Sequence, residues 1–353
     1  MFYEAAKRTW QNREGKLGEV ITPSDDFSGM RAISAFNLPY GTVMNMNFDG
    51  IGTKVELAER AENHKTMAYD LLAMVCDDAV VRGGEPILVG SILDVNILES
   101  NEKALHELAE GYVNAANDAG VAIINGEIAE LGGRTRGYGK FNYNWGATCL
   151  WFANEKRMLT GKEIEHGDHI VGFYEKGFRS NGLTLARKIL SEEYGDEWHK
   201  KEISGKKLID SVLEPSRIYC KVGVDMIGGY DPDVEPKAKI HGVVHVTGGG
   251  IPEKLDRVLK HSDLGAAIDS PMQPCDIMAH CQKIGKIPDK TAYETWNMGQ
   301  GMLIITPEPE KVMQVSKGYG IESKIMGGIV RYDGIIVKSA GVYSNGKEIR
   351  WQR

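Results

Sequence analysis

Apolar and polar residues alternate over residues 42–49, a period typical of a β-strand with one buried face. Met44, Met46 and Phe48 form the apolar set, and Asn45, Asn47 and Asp49 form the polar set. We therefore expect a half-buried strand. Its polar face ends on an aspartate where Gly50 and Gly52 bend the chain away.

A helical period follows over residues 66–82 and ends at Gly83 and Gly84. Asp77 and Asp78 would lie in its last turns, where the negative end of the helix dipole disfavours a carboxylate by up to about 1 kcal/mol. A cation or a hydrogen-bond partner for these side chains is therefore expected.

The remaining periodicity predicts two α+β layered halves. The first adds strands at 86–95, 121–125 and 145–153 and a helix at 102–119. In the second half, the pattern predicts strands at 169–174, 242–246 and 301–306 and helices at 183–190 and 217–227. It also predicts a helix whose first residue is Pro252 and a closing β-rich segment from Gly327. The polar, turn-rich stretch 159–168 suggests domains at 1–160 and 161–353, and residues 10–36 read as a polar, mobile lead segment.

Composition narrows the class of protein. The 353 residues are 42% hydrophobic and 26% charged, and no apolar run approaches the roughly 20 residues that span a membrane. The N-terminus lacks the pattern of a secretory signal, so a cytoplasmic protein is expected. A net charge of −7 disfavours nucleic-acid binding, and five cysteines without paired spacing favour buried, reduced thiols.

The strongest chemical motif is the hexapeptide Asp49-Gly50-Ile51-Gly52-Thr53-Lys54. It offers a carboxylate, open backbone, a hydroxyl and an ammonium, the mixture that a magnesium-bound phosphate needs. A solvated turn is the equally weighted alternative, and neither a P-loop nor a dinucleotide GxGxxG follows any strand. Further candidate metal ligands stand at the ends of neighbouring elements, although each taken singly is more often just solvated: Asp77, Asp78, Asp94 and Glu127.

Two glycine loops in the second half precede helices, as anion sites at helix N-termini do. One runs from Gly177 to Gly182 and carries Arg179, and the other is Thr247-Gly248-Gly249-Gly250 after His245. Together they could hold a phosphate and supply an acid or base. The alternative for His245 is a satisfied core histidine.

In order and spacing, several runs resemble the aminoimidazole ribonucleotide synthetase family, also called phosphoribosylformylglycinamidine cyclo-ligase. The resemblance extends from about residue 40 to 330, and its runs are Asp49 to Lys54, Asp70 to Met74 with Asp78, Gly84 to Pro86, Gly126-Glu127 with Ala129-Glu130, Ser180 to Gly182, Arg217 to Tyr219, His245 to Gly250 and Asn297 to Gly299.

The resemblance implies an AIR-synthetase-like homodimer in which the N-terminal sheets join into a barrel, each followed by a C-terminal α/β domain. It implies ATP at Asp49, Gly50, Gly52, Thr53 and Lys54, and Mg²⁺ at Asp49, Asp78, Asp94 and Glu127. It implies a small phosphorylated substrate at Arg179, Ser180, Asn181, Gly182, Thr247, Gly248, Gly249, Gly250 and Asn297, with Asp49 and His245 as catalytic residues and Lys16 as a candidate catalytic lysine. The formyl amide oxygen of formylglycinamidine ribonucleotide would be phosphorylated and then displaced on ring closure.

The chain also departs from the family. Arg179 stands where the family usually has a histidine, Asn125 stands where it has a glycine, and the glycine-rich lead stretch is short. Two alternatives therefore remain: a paralogue acting on another amide or phosphate, like thiamine-monophosphate kinase or the hydrogenase- and selenium-pathway enzymes of this superfamily, and a non-catalytic nucleotide-binding protein.

Overall fold

The structure is a computed structural model that describes residues 1–21, 31–35, 38–203 and 205–352. Most of the predicted lead segment after residue 21 lies outside these ranges. The chain divides into two compact units. Unit 1 comprises Met1–Met158, Ile218–Val224 and Gly229–Val234, and unit 2 comprises Leu159–Arg217, Asp225–Gly228 and Glu235–Arg353.

Helices and strands are mixed throughout, which confirms the α+β class. The helices are α1 (Phe2–Lys7), α2 (Val55–Ala61), α3 (Met67–Val80), α4 (Glu102–Ala119), α5 (Leu183–Tyr194), α6 (Leu208–Val212), α7 (Cys220–Ile227), α8 (Gly250–Leu259), α9 (Asp276–Ile284), α10 (Asp289–Thr295) and α11 (Pro309–Gly318). The strands are β1 (Val20–Ile21), β2 (Ala32–Ile33), β3 (Thr42–Gly50), β4 (Glu85–Val95), β5 (Ala122–Glu130), β6 (Tyr143–Asn154), β7 (His169–Tyr174), β8 (Glu202–Ile203), β9 (Lys206–Lys207), β10 (Gly242–His245), β11 (Gly265–Ile268), β12 (Gln300–Thr306), β13 (Ser323–Val330), β14 (Ile335–Lys338) and β15 (Glu348–Trp351).

Unit 1 is built on a four-stranded sheet in the order β3-β6-β4-β5, parallel only between β4 and β5. Helix α3 covers one face, where Asn47 donates from Nδ2 to the carbonyl of Val75 at 3.2 Å. Nearly every residue of α3 is buried, so this is a core helix. Asp77 near its end accepts a hydrogen bond from the backbone N–H of Tyr219 at 2.8 Å, which is a partner of the expected kind.

The apolar face of β3 is exposed in the single chain, which corrects the expected burial. Met44 is 64% exposed, Phe48 is 73% exposed and Ile92 on β4 is 56% exposed. The strand period was predicted correctly, but α3 covers the Asn47 face instead. Alternation shows that two faces differ, and packing decides which one is buried.

Unit 2 contains a seven-stranded sheet in the order β10-β12-β7-β13-β11-β14-β15. Strand β12 is buried along its whole length. It pairs antiparallel with β10 on one side and β7 on the other, so β10 and β7 point the same way and end at the same edge of the sheet. Helix α5 follows β7 and helix α8 follows β10.

No helix in the described part of the chain is both long and apolar enough to cross a membrane. The five cysteines are free and buried, as their spacing predicted. Hydrogen bonds with Cys149 and Cys220, followed by burial, raise the pKa of Cys76 well above its ordinary value.

Candidate active site

The predicted hexapeptide begins as β3 ends. Gly50 closes the strand, and a 3₁₀ turn spans Gly52–Lys54. Oδ1 of Asp49 accepts from the N–H of Gly50 at 2.7 Å. Asp49, Gly52 and Thr53 are exposed, and Gly52 has φ +66° with open space where a Cβ would stand. The turn therefore presents a carboxylate, a hydroxyl and uncovered backbone to solvent.

Lys54, predicted to bind phosphate through its ammonium group, already has a partner in the core of unit 1. Its side chain is fully buried, and its Nζ lies 2.7 Å from Oδ1 of Asp70, which is also fully buried. The 3₁₀ turn places this residue directly before α2 and directs it towards α3, away from the exposed face of Thr53. Lys54 therefore anchors the turn to the core of unit 1.

A depression of about 650 Å³ lies on the sheet beside the hexapeptide. Cross-strand pairing places Asp49 in a row with Ser91, and Glu127 in the adjacent row with Gly50. Glycines make much of the floor, so backbone is accessible there. The lining residues are Phe48, Asp49, Gly50, Gly90, Ser91, Ile92, Asn125, Gly126, Glu127, Asn144, Gly146, Ala147 and Thr148.

The four predicted metal carboxylates are not assembled as a set. Asp49 and Glu127 both line the depression, whereas Asp94 and Asp78 do not. Asp94 lies two residues beyond Ile92 on β4, about 7 Å further along the strand. Asp78 lies near the C-terminal end of α3. Within the described ranges no group of three or more His, Cys, Asp or Glu side chains could hold a metal ion.

Two carboxylates are nevertheless a suitable set for magnesium bound to a nucleotide. Mg²⁺ usually takes one or two carboxylates, with substrate phosphates and water completing its octahedral shell. Asp49 and Glu127 supply that number of carboxylates, but adjacent rows of the sheet send their side chains to opposite faces, so the register does not place the two carboxylates side by side. Lys16 is exposed in the turn before β1 and is not among the residues that line the depression.

In unit 2 the structure brings the two predicted glycine loops together. An ideal Cβ on Gly248 would lie 3.3 Å from Oδ1 of Asn181, so the loops are in contact. Gly182 precedes α5 with φ +71°, and Gly249 precedes α8 with φ +88°. Ser180, Asn181 and Thr247 are only partly buried. Two helix N-termini with polar side chains therefore adjoin at one edge of the sheet, an arrangement suited to an anion.

The N-terminus of α8 already faces one carboxylate. A Cβ on Gly249 would collide with the side chain of Glu253, which also accepts from Arg257 at 3.1 Å. Because Glu253 is half exposed, a stronger anion could displace it. Helix α8 begins at Gly250, two residues earlier than predicted, so Pro252 is its third residue and not its first.

Arg179, predicted to hold a substrate phosphate, is buried and bonded to three other residues. The residue is 1% exposed with φ +59°. Its guanidinium donates from Nη1 to Oε2 of Glu175 at 2.7 Å and to the carbonyl of Arg217 at 2.9 Å, and Nη2 lies 2.8 Å from Nε2 of His245. The left-handed backbone turns the side chain inward, where the carboxylate of Glu175 compensates its charge.

Asn297, predicted to contact the substrate, is also buried and bonded within unit 2. It is 4% exposed. Its Nδ2 donates to the carbonyl of Gly177 at 2.8 Å, and its Oδ1 accepts from the N–H of Gly299 at 2.8 Å. Both ends of the amide are thus engaged in holding the first glycine loop to the start of β12.

Glu175 and Glu59 are among the buried carboxylates that sequence reasoning missed. Glu175 stands four residues before Arg179, a spacing that a search for charge pairs would have found. Glu59 on α2 accepts from the N–H of Tyr138 at 2.7 Å, and burial is the main cause that raises its pKa to about 7. Nothing in the local sequence near Glu59 indicates this partner 79 positions away.

Comparison with known proteins assigns the chain to a family. The N-terminal domain model of the AIR synthase related proteins matches residues 32–151, and the C-terminal domain model matches residues 165–338. The chain belongs to the AIR synthase related family, and its fold is of that type. Within the family, it is 32% identical over 339 residues to a phosphoribosylformylglycinamidine cyclo-ligase from Thermococcus kodakarensis, covering 96% of this chain and 92% of that protein. The resemblance inferred from the motifs is thereby confirmed.

Solved structures share the fold at low identity. The thiamine-monophosphate kinase from Stenotrophomonas maltophilia has a TM-score of 0.65 at 12% identity, covering 97% of each chain. The hydrogenase maturation protein HypE in complex with ATP has a TM-score of 0.58 at 13% identity, covering 91% of this chain and 88% of that one. At these identities the likeness concerns the fold alone.

Proposed function

We propose that this protein is an ATP-dependent cyclo-ligase that converts formylglycinamidine ribonucleotide to aminoimidazole ribonucleotide in purine biosynthesis. The relationship to the Thermococcus kodakarensis cyclo-ligase over 96% of the chain carries this proposal. The depression lined by Asp49, Gly50 and Glu127 supports it, because the reaction needs a place for nucleotide phosphates beside hard oxygen ligands.

ATP and Mg²⁺ are proposed to bind at the depression of unit 1. Asp49 and Glu127 would hold the ion, and the backbone of Gly50 and Gly52 and the hydroxyl of Thr53 would approach the phosphates. The bound nucleotide supplies the phosphoryl group that turns an amide oxygen into a leaving group. HypE, which shares the fold, is known in complex with ATP. Asp94 and Asp78 are left out of this proposed ligand set because they lie outside the depression.

The substrate phosphate is proposed to bind at the paired loops of unit 2. Ser180, Asn181 and Thr247 would donate hydrogen bonds, and the N-termini of α5 and α8 would add backbone N–H groups. Gly182, Gly248, Gly249 and Gly250 would allow the phosphate to approach the backbone closely. Arg179 and Asn297 would act indirectly, by holding these loops in place.

A homodimer is proposed through the exposed sheet face of unit 1. Met44, Met46, Phe48 and Ile92 present an apolar surface without a covering helix. Joining this face to that of a second copy would bury these side chains and give the barrel that the family resemblance implies. Phe48 and Ile92 also line the depression, so dimer formation would enclose part of the proposed nucleotide site.

The proposal is tested by incubating the protein with formylglycinamidine ribonucleotide, ATP and Mg²⁺ and measuring ADP and the aminoimidazole product. Asp49→Asn should lower turnover by about 100-fold or more, because a neutral amide is a poor ligand for Mg²⁺. Glu99→Gln changes an exposed carboxylate of the same unit and should leave turnover unchanged.

Three outcomes would overturn parts of the proposal. Full activity of Asp49→Asn would remove this residue from the site. ADP release with another amide or phosphate substrate, but none with formylglycinamidine ribonucleotide, would indicate a paralogue. ATP binding without turnover of any substrate by well-folded protein would indicate a non-catalytic nucleotide-binding protein.

A further inference from the structure

The buried triad Glu175, Arg179 and His245 lies beneath the paired glycine loops of unit 2. Each of the three residues is no more than 3% exposed. We propose that Glu175 and Arg179 are positioning residues that fix His245 with its ring proton on Nδ1, and that Nε2 of His245 therefore takes no part in proton transfer during ring closure. This inference rests on the proposed cyclo-ligase function.

Hydrogen-bond chemistry determines the tautomer. A guanidinium has five N–H donors and no acceptor, so any hydrogen bond to it must end on a lone pair of its partner. Nη2 of Arg179 lies 2.8 Å from Nε2 of His245. Nε2 is therefore the acceptor and carries no proton, and the ring proton lies on Nδ1.

Glu175 holds the guanidinium in this orientation. Its Oε2 accepts from Nη1 of Arg179 at 2.7 Å, and its Oε1 accepts from the N–H of Lys176 at 3.0 Å. The carbonyl of Arg217 also accepts from Nη1 at 2.9 Å. Because Nη1 donates to both Glu175 and the carbonyl of Arg217, the guanidinium is oriented with Nη2 towards the imidazole of His245. The carboxylate and guanidinium also neutralise one another, as a buried pair must.

The same contacts tie the two loops together. His245 is the last residue of β10 and stands two positions before Thr247, and Arg179 directly precedes Ser180. The bond from Arg179 to His245 therefore crosses β12 and joins the ends of β7 and β10. Loss of this bond would let Asn181 and Gly248 separate, which would disrupt the proposed phosphate site.

The left-handed backbone at Arg179 supports a demanding positional role. A φ of +59° is uncommon for an arginine. Such a conformation persists where surrounding contacts over-determine it, and here those contacts include three hydrogen bonds of the guanidinium. The fold therefore holds this side chain in a single arrangement around His245.

The first test reads the tautomer directly. In protein labelled with ¹⁵N, the two ring nitrogens of His245 are assigned by their loss in His245→Gln. Nε2 should show the shift of an unprotonated ring nitrogen, and Nδ1 the shift of a protonated one. The double variant Glu175→Gln with Arg179→Met removes both charges together and should abolish this signature. Lys188→Met, on exposed α5 surface, should preserve it. A protonated Nε2 in the wild type at neutral pH would overturn the proposal, whether or not the protein shows cyclo-ligase activity.

The second test separates positioning from proton transfer. The amide oxygen introduced by His245→Gln can still accept a hydrogen bond from Arg179, whereas the methyl group introduced by His245→Ala cannot. His245→Ala should raise KM for formylglycinamidine ribonucleotide, and His245→Gln should recover about tenfold of the kcat/KM lost in His245→Ala, the worth of one hydrogen bond to a charged group. KM for ATP should change little in either variant. Equal loss in both variants, confined to kcat, would show that the imidazole itself transfers a proton and would refute the proposal.

Discussion

Nζ of Lys54 lies 2.7 Å from Oδ1 of Asp70, and neither side chain is exposed. This pair connects the end of the hexapeptide 49–54 to helix α3. A buried ion pair contributes little net stability when complete, but removing one partner leaves a charge without compensation in the core. Lys54 is thus a structural residue within a segment in which Asp49, Gly52 and Thr53 are exposed.

We expect Lys54→Met to lower the free energy of unfolding by about 3–5 kcal/mol, because it leaves the Asp70 carboxylate buried without its ammonium. The double variant Lys54→Met with Asp70→Leu should recover most of that loss. Lys188→Met breaks an exposed pair and should change stability by less than about 1 kcal/mol. Urea unfolding monitored by tryptophan fluorescence measures all three. A Lys54→Met variant as stable as the wild type would contradict the assignment.

Glu59 predicts a dependence of stability on pH. Burial, the largest cause, raises its pKa from 4.5 to about 7 in the folded chain. Between these two values the folded state holds the proton more tightly than the unfolded state does. The stability that Glu59 contributes to the folded state is therefore fully present below about pH 4.5 and is lost as pH rises through about 7.

The measurement compares wild type with Glu59→Gln by urea unfolding from pH 5 to pH 8. Relative to the variant, the wild type should lose stability steadily as pH rises across this range, because only the wild type must ionise a buried carboxyl. Glu62→Gln on the same segment is the exposed control and should run parallel to the wild type. A wild type that gains stability over Glu59→Gln with rising pH would reverse the predicted sign.

The exposed face of β3 predicts the oligomeric state. Phe48 is 73% exposed on an uncovered apolar sheet face, and a glutamate there would place a charge inside the proposed dimer interface. Phe48→Glu should shift the protein from dimer to monomer in size-exclusion chromatography with light scattering. Tyr40→Glu changes an aromatic residue that is 92% exposed just before the strand and should leave the dimer intact. A wild type that is monomeric at micromolar concentration would refute the dimer.

The hydrophobic periodicity predicted helices and strands well where a strong period ends at a glycine or a polar turn. The helix at Glu102–Ala119 ends before Gly120, and the strand at His169–Tyr174 follows a polar turn; both have the predicted bounds. Helices α9, α10 and α11 were not predicted, because each is ten residues or shorter and offers few turns over which a period can be read. The strand at β5 extends to Glu130, five residues beyond its prediction, because its second half pairs with β4 despite a polar sequence.

The sequence by itself determined the family, the order of the elements and the two glycine loops, because these depend on motifs and periods that are local in the chain. Tertiary structure decided which charged and polar residues face a ligand. Lys54, Arg179 and Asn297, predicted to bind phosphate or substrate, are buried and bonded to partners 16, 66 and 120 positions away, although Arg179 also pairs with Glu175 only four positions away. A side chain is free to bind only when the fold has not already paired it, and such distant pairing leaves no local signal.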